Sequence, residues 1–372
     1  MARFIGLMSG TSLDGVDAVL VESEISEGPL RELAFVHLPF DPSLRTELLA
    51  LNAPGPDERH RAALAGTGVS RVYAQAVAQL LAEAGLAASQ VDALGAHGQT
   101  VRHRPREFDG VGYTLQLLNG SLLAELTGAD VVCDLRSRDL AAGGIGAPLV
   151  PAFHAAVFAQ PGCDVAVLNL GGIANLTLLP AVGAVRGFDC GPGNVLMDLW
   201  IQRHRGLPYD EHGLWAASGR ADSRLLQALL AEPFMSLAPP KSTGRDLFNA
   251  PWLDARLAAS RADLSAVDIM ATLAEFTAQG AADALREALS AAQTLLVCGG
   301  GAFNAHLMSR LAQLVPAGVE VCDTGRRGMA PDRVEALAFA WLAREHRARR
   351  SGNLPAVTGA RGPRVLGTLY PA

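Results

Sequence analysis

Cysteine is scarce in this 372-residue chain: five residues, Cys133, Cys163, Cys190, Cys298 and Cys322. They are odd in number, widely spaced and without a C-x-x-C pair, which excludes a disulfide framework or zinc-finger site and points to reduced thiols in a cytoplasmic protein. Basic character is also lacking. With 31 basic residues against 37 acidic ones the net charge is −6, so no bulk attraction to nucleic acid or an anionic membrane is expected. No apolar run reaches the ~18 residues of a membrane span, and no basic-then-apolar leader precedes the first strand pattern. No glycine-rich run ends in Gly-Lys-Ser/Thr, and no Gly-x-Gly-x-x-Gly follows a strand, so neither a Walker loop nor a dinucleotide fold is indicated. The one basic cluster, Arg344 to Arg350, follows an apolar helix and reads as its solvated last turn, opposing the helix dipole.

What is present is a repeated pattern. Residues 4–21 run from an apolar stretch through Gly10-Thr11-Ser12-Leu13-Asp14-Gly15 into a second apolar stretch containing Val16 and Asp17. This reads as a β-hairpin with a polar tip. Glycines there allow several N–H groups to face one point, hydroxyls add donors, and Asp14 or Asp17 is placed to hold Mg2+ through water. The plain alternative is a surface turn. Residues 165–179 repeat the pattern around Gly171, Gly172 and Asn175. Residues 294–298 form a third apolar run, leading into Gly299-Gly300-Gly301 and then Asn304 at the start of a helix. Two hairpins and a later strand–glycine–helix unit predict a duplicated α/β domain with a nucleotide in the cleft between its halves.

Elsewhere the patterning predicts a third strand over 34–40, helices around 43–51 and 57–84, and a buried strand over 93–101. A helix over 122–127 and a strand over 130–134 follow. The glycine-rich stretch 139–148 is a candidate hinge. Beyond it come a β-rich core at 163–190 and helices at about 195–205, 223–231, 252–259 and 267–289, then an apolar helix opened by Pro331 and a loop-like tail from Gly352. Asp189 ends an apolar strand just before Gly191-Pro192-Gly193-Asn194 and a helical pattern. Near a helix N-terminus its carboxylate form is favoured, which suits either a general base or a simple capping residue.

The hairpins and glycine turn resemble the actin-like, sugar-kinase and heat-shock-chaperone ATPase superfamily. The segments 6–17, 96–103, 134–139, 143–149, 187–194 and 240–245 together look like the anhydro-N-acetylmuramic acid kinase family, and the likeness extends from about residue 3 to Tyr370. It implies a two-lobed, duplicated ribonuclease-H-like α/β fold, with 1–138 plus 345–372 as one lobe and 139–344 as the other. It also implies ATP with Mg2+, a cytoplasmic homodimer, and 1,6-anhydro-N-acetylmuramic acid as the small-molecule substrate, opened and phosphorylated at O6 in peptidoglycan recycling. Two other readings are a kinase for another sugar on the same fold and an ATP-gated conformational protein of the actin or chaperone kind.

The same resemblance assigns ATP and phosphate contacts to Gly10, Thr11, Ser12, Leu13, Asp14, Gly15, Val16, Asp17, Gly171, Gly172, Asn175, Gly299, Gly300, Gly301 and Asn304. Asp14 is its water-mediated metal contact and Asp189 its base, which would deprotonate water because the ether O6 has no proton to lose. Arg136 or Arg138 would grip the lactyl carboxylate of the substrate, Arg138 being preferred. The alternative for either arginine is a salt bridge to Asp134 or Asp139. Glu335 is a substrate-hydroxyl acceptor or a partnered buried carboxylate. Gln99 and Thr100 suit sugar hydroxyls, while His97 is a substrate contact or a hydrogen-bonded loop histidine. The loop from Lys241 to Arg245 reaches the nucleotide or rims the cleft. Cys190 and Ile145 depart from the expected threonine and polar residue, and Cys190 is expected to cost a hydroxyl contact near the phosphate.

Overall fold

Apolar runs on either side of a glycine turn pair as strands because each buries side chains on both faces of a sheet. In the computed structural model, which describes residues 1–10, 12–25, 28–239, 241–260 and 264–372, the chain divides into two compact units. One is Met1–Phe153 with Arg333–Ala372; the other is His154–Asp332. The sequence reading divides the chain at 138/139 and 344/345. The difference lies in the segments 139–153 and 333–344, both in the first unit, the latter because the helix Val334–Arg347 packs on strands of that unit.

In that first unit β1 (Ala2–Met8), β2 (Gly15–Ser23) and β3 (Arg31–Pro39) form an antiparallel meander, and β4 (Ala93–Ala96) lies parallel to β1. A separate hairpin joins β5 (Gln99–Pro105) to β6 (Gly112–Leu117), while β7 (Val131–Cys133) extends the main sheet parallel to β4. Thr368–Tyr370 closes that edge antiparallel to β7, so the tail expected to be loop-like contributes a strand. Alternate residues of β1 serve opposite faces. Ile5 and Leu7 enter a core with Val69, Tyr73 and Val77 of the helix Glu58–Ala84. On the other face, Gly6 stands beside Gly95 of β4. A Cβ at Gly6 would lie 1.8 Å from the Ala336 carbonyl oxygen, and one at Gly95 would lie 2.0 Å from that of Phe339. The backbone of the helix Val334–Arg347 therefore rests directly on these two strands.

The second unit contains β8 (Val165–Leu170), β9 (Ile173–Leu179), β10 (Arg186–Pro192), β11 (Thr294–Cys298) and β12 (Glu320–Asp323), in the order β10-β9-β8-β11-β12. An antiparallel meander is again followed by parallel strands on the far side of the first. In the first unit the order is β3-β2-β1-β4-β7. The two sheets thus share one topology, that of the duplicated ribonuclease-H-like fold seen in sugar kinases and actin-like ATPases. The long helix Ala266–Ala288 fills the second core, with Met270, Leu273 and Phe276 fully buried or nearly so.

Several expectations are corrected. The predicted strand 93–101 is broken at Gly98, whose φ of +75° turns the chain into β5. The helix Val150–Phe158 was not anticipated. The stretch 139–148, expected as a hinge, wraps around a buried carboxylate. Asp139 accepts from Gly146 N (2.8 Å), Asn353 Nδ2 (2.6 Å) and Thr358 Oγ1 (2.7 Å), and Ile145 N donates to the Thr358 carbonyl at 2.9 Å. The basic cluster is not simply solvated either. Arg344 is buried against Glu345 and Ser23, Arg350 pairs with Glu345, and Arg347 pairs with Asp130.

Candidate active site

The polar tip of the first hairpin is built by residues far apart in sequence. Ser9 is buried, with its Oγ 2.9 Å from Tyr73 Oη and donating to the Gly98 carbonyl at 3.0 Å. Gln99, fully buried, donates Nε2 to the Gly10 carbonyl at 3.1 Å, while its Oε1 has no partner among the described residues. Asp14 is exposed, and its Oδ1 accepts from Ser12 Oγ (2.6 Å) and Gly15 N (3.0 Å). Leu13 and Val16 point into the core and offer only main chain to any ligand, and Asp17 is bonded to His37 at 2.8 Å. Thr11 lies outside the described residues.

Next to this tip His97 uses both ring nitrogens. Nδ1 is 3.2 Å from the Ser9 carbonyl, and Nε2 accepts from Arg136 Nε (3.2 Å) and Nη2 (2.9 Å). Burial and the Arg136 charge push its pKa down to about 3, so the ring is neutral with its proton on Nδ1. Both ring nitrogens of His97 are thus engaged by neighbours in the first unit. Arg136 also donates Nη1 to the Gly146 carbonyl (2.9 Å), and the charge of Glu335 acts on it. Burial lowers the pKa of Arg136 to about 10, so it stays cationic at neutral pH. Arg138 is exposed and makes no side-chain hydrogen bond or ion pair among the described residues. Neither arginine bridges to Asp134 or Asp139, because Asp134 takes Ser137 and Asp139 holds the glycine loop. The Thr100 hydroxyl accepts from Gln116 at 3.0 Å.

In the second unit three glycine turns converge. Gly193 N and Val195 N donate to the Gly172 carbonyl (2.9 and 3.1 Å), and Asn194 N donates to that of Gly171 at 2.8 Å. A Cβ on Gly193 would lie 2.2 Å from the Gly171 oxygen, so only glycine lets β10 close over the β8–β9 turn. Asn194 Nδ2 binds the Leu170 carbonyl, and the Gly299–Gly301 turn packs on Leu170 and Asn194. Asn304 caps the following helix through Leu307 N at 2.9 Å, which commits its Oδ1. Asn175 lies opposite Asn169 on β8 and opposite Asp189 on β10, so these three share one face of the sheet.

Asp189 is held by the loop from Lys241. Its Oδ2 accepts from Ser242 Oγ and Thr243 N, both at 2.9 Å, and its N–H donates to the Lys241 carbonyl at 3.1 Å. Burial raises its pKa, and these donors with the Lys241 charge oppose the rise. Oδ1 accepts no hydrogen bond among the described residues. Cys190, at the β10 bulge, faces the core instead and lies 3.3 Å from the Ala174 carbonyl. Sequence reasoning missed Asn169, Ser9 with Tyr73, and Asp198. Asp198 had a readable signal as the lone charge among Val195, Leu196, Met197, Leu199 and Trp200; burial brings its pKa up to about 7, with Arg245 opposing. The other two depend on contacts that cross the fold.

A family model described as anhydro-N-acetylmuramic acid kinase matches residues 2–372. The chain belongs to that family. The anhydro-N-acetylmuramic acid kinase of Variovorax paradoxus (strain S110) is 61% identical over 375 aligned residues, covering 99% of each chain. That of Pseudomonas putida (strain KT2440) is 53% identical over 373 residues, covering all of both. Among solved structures, a ROK family glucokinase from Streptomyces griseus in complex with glucose and AMPPNP is 16% identical, with a TM-score of 0.43 over 92% of this chain and 100% of its own. In this member of the anhydro-N-acetylmuramic acid kinase family, no helix among the described residues is long and apolar enough to cross a membrane.

Proposed function

We infer that this chain is an ATP-dependent kinase that hydrolytically opens 1,6-anhydro-N-acetylmuramic acid and phosphorylates O6, giving N-acetylmuramic acid 6-phosphate and ADP in peptidoglycan recycling. Family membership over nearly the whole chain names the substrate. The observation that carries the chemistry is the Asp189 carboxylate, one oxygen held by two donors and the other without a partner among the described residues. Oδ1 accepts a proton from water as that water attacks the anomeric carbon. The C1–O6 bond breaks, its electron pair stays on O6, and O6 attacks the γ-phosphorus in line. ADP leaves, and the Asp189 proton returns to solvent.

Main-chain N–H groups of the turns around Gly10–Gly15 and Gly171–Gly172 suit phosphate oxygens, and the Gly299–Gly301 turn suits the adenosine side. Asp14 Oδ2 has no partner among the described residues and suits a water-mediated Mg2+ contact. The described residues hold no group of three or more His, Cys, Asp or Glu placed to hold a metal ion. A magnesium ion there would therefore rely on waters and phosphates, as this hard, reluctantly dehydrated cation commonly does, and would offset phosphate charge. Arg138, exposed and uncommitted, is the better fork for the lactyl carboxylate; Arg136 is spent on His97 and Gly146. Glu335, Gln99 and Thr100 complete the sugar side of this reading. The family resemblance further implies a cytoplasmic homodimer.

The test is mass spectrometry of the products formed from 1,6-anhydro-N-acetylmuramic acid and MgATP. A sugar heavier by one phosphoryl group and one water is expected. An unchanged anhydro sugar, whether or not ATP is hydrolysed, would overturn the assignment.

A further inference from the structure

Lys241 is the only lysine among the 31 basic residues of the chain. Its ammonium donates to two consecutive carbonyls, Phe234 (3.3 Å) and Met235 (3.0 Å), and sits 4.9 Å from the Phe234 ring centroid. A compact cation with three donors on a flexible stem fits that paired acceptor better than a planar guanidinium does. The side chain thus anchors the loop to the 233–236 turn while its main chain binds β10 through Asp189 N. The next two residues, Ser242 and Thr243, deliver both donors to Asp189 Oδ2.

We propose that Lys241–Thr243 is the positioning element of the Asp189 base, and that Ser242 decides which carboxylate oxygen is free to take the proton. Without the Ser242 hydroxyl, Oδ2 keeps one donor and the carboxylate gains freedom to rotate about its Cβ–Cγ bond. Either oxygen then competes for the Thr243 N–H, and the proton-accepting lone pairs lose their fixed direction. Burial also goes less opposed, so the base is protonated at a higher pH. The ionisable groups around Asp189 are Lys241 on the loop and the Cys190 thiol on the strand, with Glu287 of the helix Ala266–Ala288 acting on Lys241. Opposite, on β9, stands the neutral Asn175. Ser242 is exposed, so its hydroxyl is separable from folding.

The inference rests on Asp189 being the base, and the experiment separates the two. Steady-state kinetics of the full-length protein would be measured across pH for Ser242→Ala, Ser242→Thr and Asp189→Asn. Ser242→Ala should lower kcat about tenfold, the scale of one hydrogen bond to a charged group. Both KM values should stay within about twofold, and the acid limb of kcat should move to higher pH by about one unit. Ser242→Thr, which keeps a hydroxyl, should restore kcat and the acid limb. If Ser242→Ala matches the unaltered protein in kcat and acid limb while Asp189→Asn is inactive, positioning by Ser242 is overturned and the base assignment survives. If Asp189→Asn turns over normally, the base assignment fails first.

Discussion

Arg136 donates to His97 Nε2 from both Nε (3.2 Å) and Nη2 (2.9 Å), so a buried imidazole and a buried guanidinium hold each other in one protonation state. An imidazole accepting at Nε2 must carry its proton on Nδ1, where the Ser9 carbonyl lies 3.2 Å away. The pair therefore ties the loop after β4 to the first glycine turn and aims Arg136 at the Gly146 carbonyl.

Such histidines make the fold acid-labile in a defined window. His97 and His154, both buried, have pKa values of about 3, against 6.5 when unfolded. The folded state holds them neutral, so the unfolded chain binds protons first as pH falls. Their contribution is complete above about pH 6.5 and is lost progressively below it. The melting temperature should fall between about pH 7 and pH 5, before most carboxylates titrate; a flat profile over that range would contradict the assignment.

Arg136 and Arg138, two residues apart, should respond differently to truncation. Arg136→Ala leaves His97 Nε2 and the Gly146 carbonyl without their donors and should lower stability by about 2–3 kcal/mol. Arg138→Ala removes no side-chain hydrogen bond or ion pair among the described residues. Its melting temperature should be unchanged, while KM for the anhydro sugar rises at least tenfold and KM for ATP stays nearly constant. Calorimetry with steady-state kinetics checks both, and equal KM effects would remove Arg138 from the sugar site.

Cys190→Thr tests where that side chain points. The thiol is buried against the Ala174 carbonyl, on the core side of β10. A threonine hydroxyl would find the same acceptor, so kcat should change by less than about twofold. A large gain in kcat would show that the hydroxyl reaches phosphate after all.

Gly95→Ala probes the helix seat. Its Cβ would meet the Phe339 carbonyl oxygen at 2.0 Å and the carbonyl carbon at 2.8 Å, so one backbone would have to shift. A loss of about 3 kcal/mol or more is expected in urea denaturation. Wild-type stability would mean that the helix Val334–Arg347 does not lie against β4 as described.

Much of the site was legible because its chemistry is local. The Gly10–Gly15 and Gly171–Gly172 turns declare themselves by glycine between apolar runs, and Asp189 by its place before Gly191-Pro192-Gly193-Asn194. Asp198 was equally readable as the one charge in an apolar helix start and was passed over. The partners of these groups were not legible. Tyr73 reaches Ser9 across 64 positions, Thr358 reaches Asp139 across 219, and Ser242 reaches Asp189 across 53. Nothing in a local window distinguishes a tyrosine that packs from one that also bonds a serine.

Alternation and glycine placement alone determined the duplicated strand pattern and the hairpin tips, because these depend on backbone geometry and the burial of neighbouring side chains. Tertiary structure alone decided the rest. It made 139–148 a loop pinned around Asp139, turned Cys190 to the core, kept His97 neutral and gave Asp189 its two donors. Desolvation and hydrogen-bond geometry set those outcomes, and both are fixed only when distant segments pack.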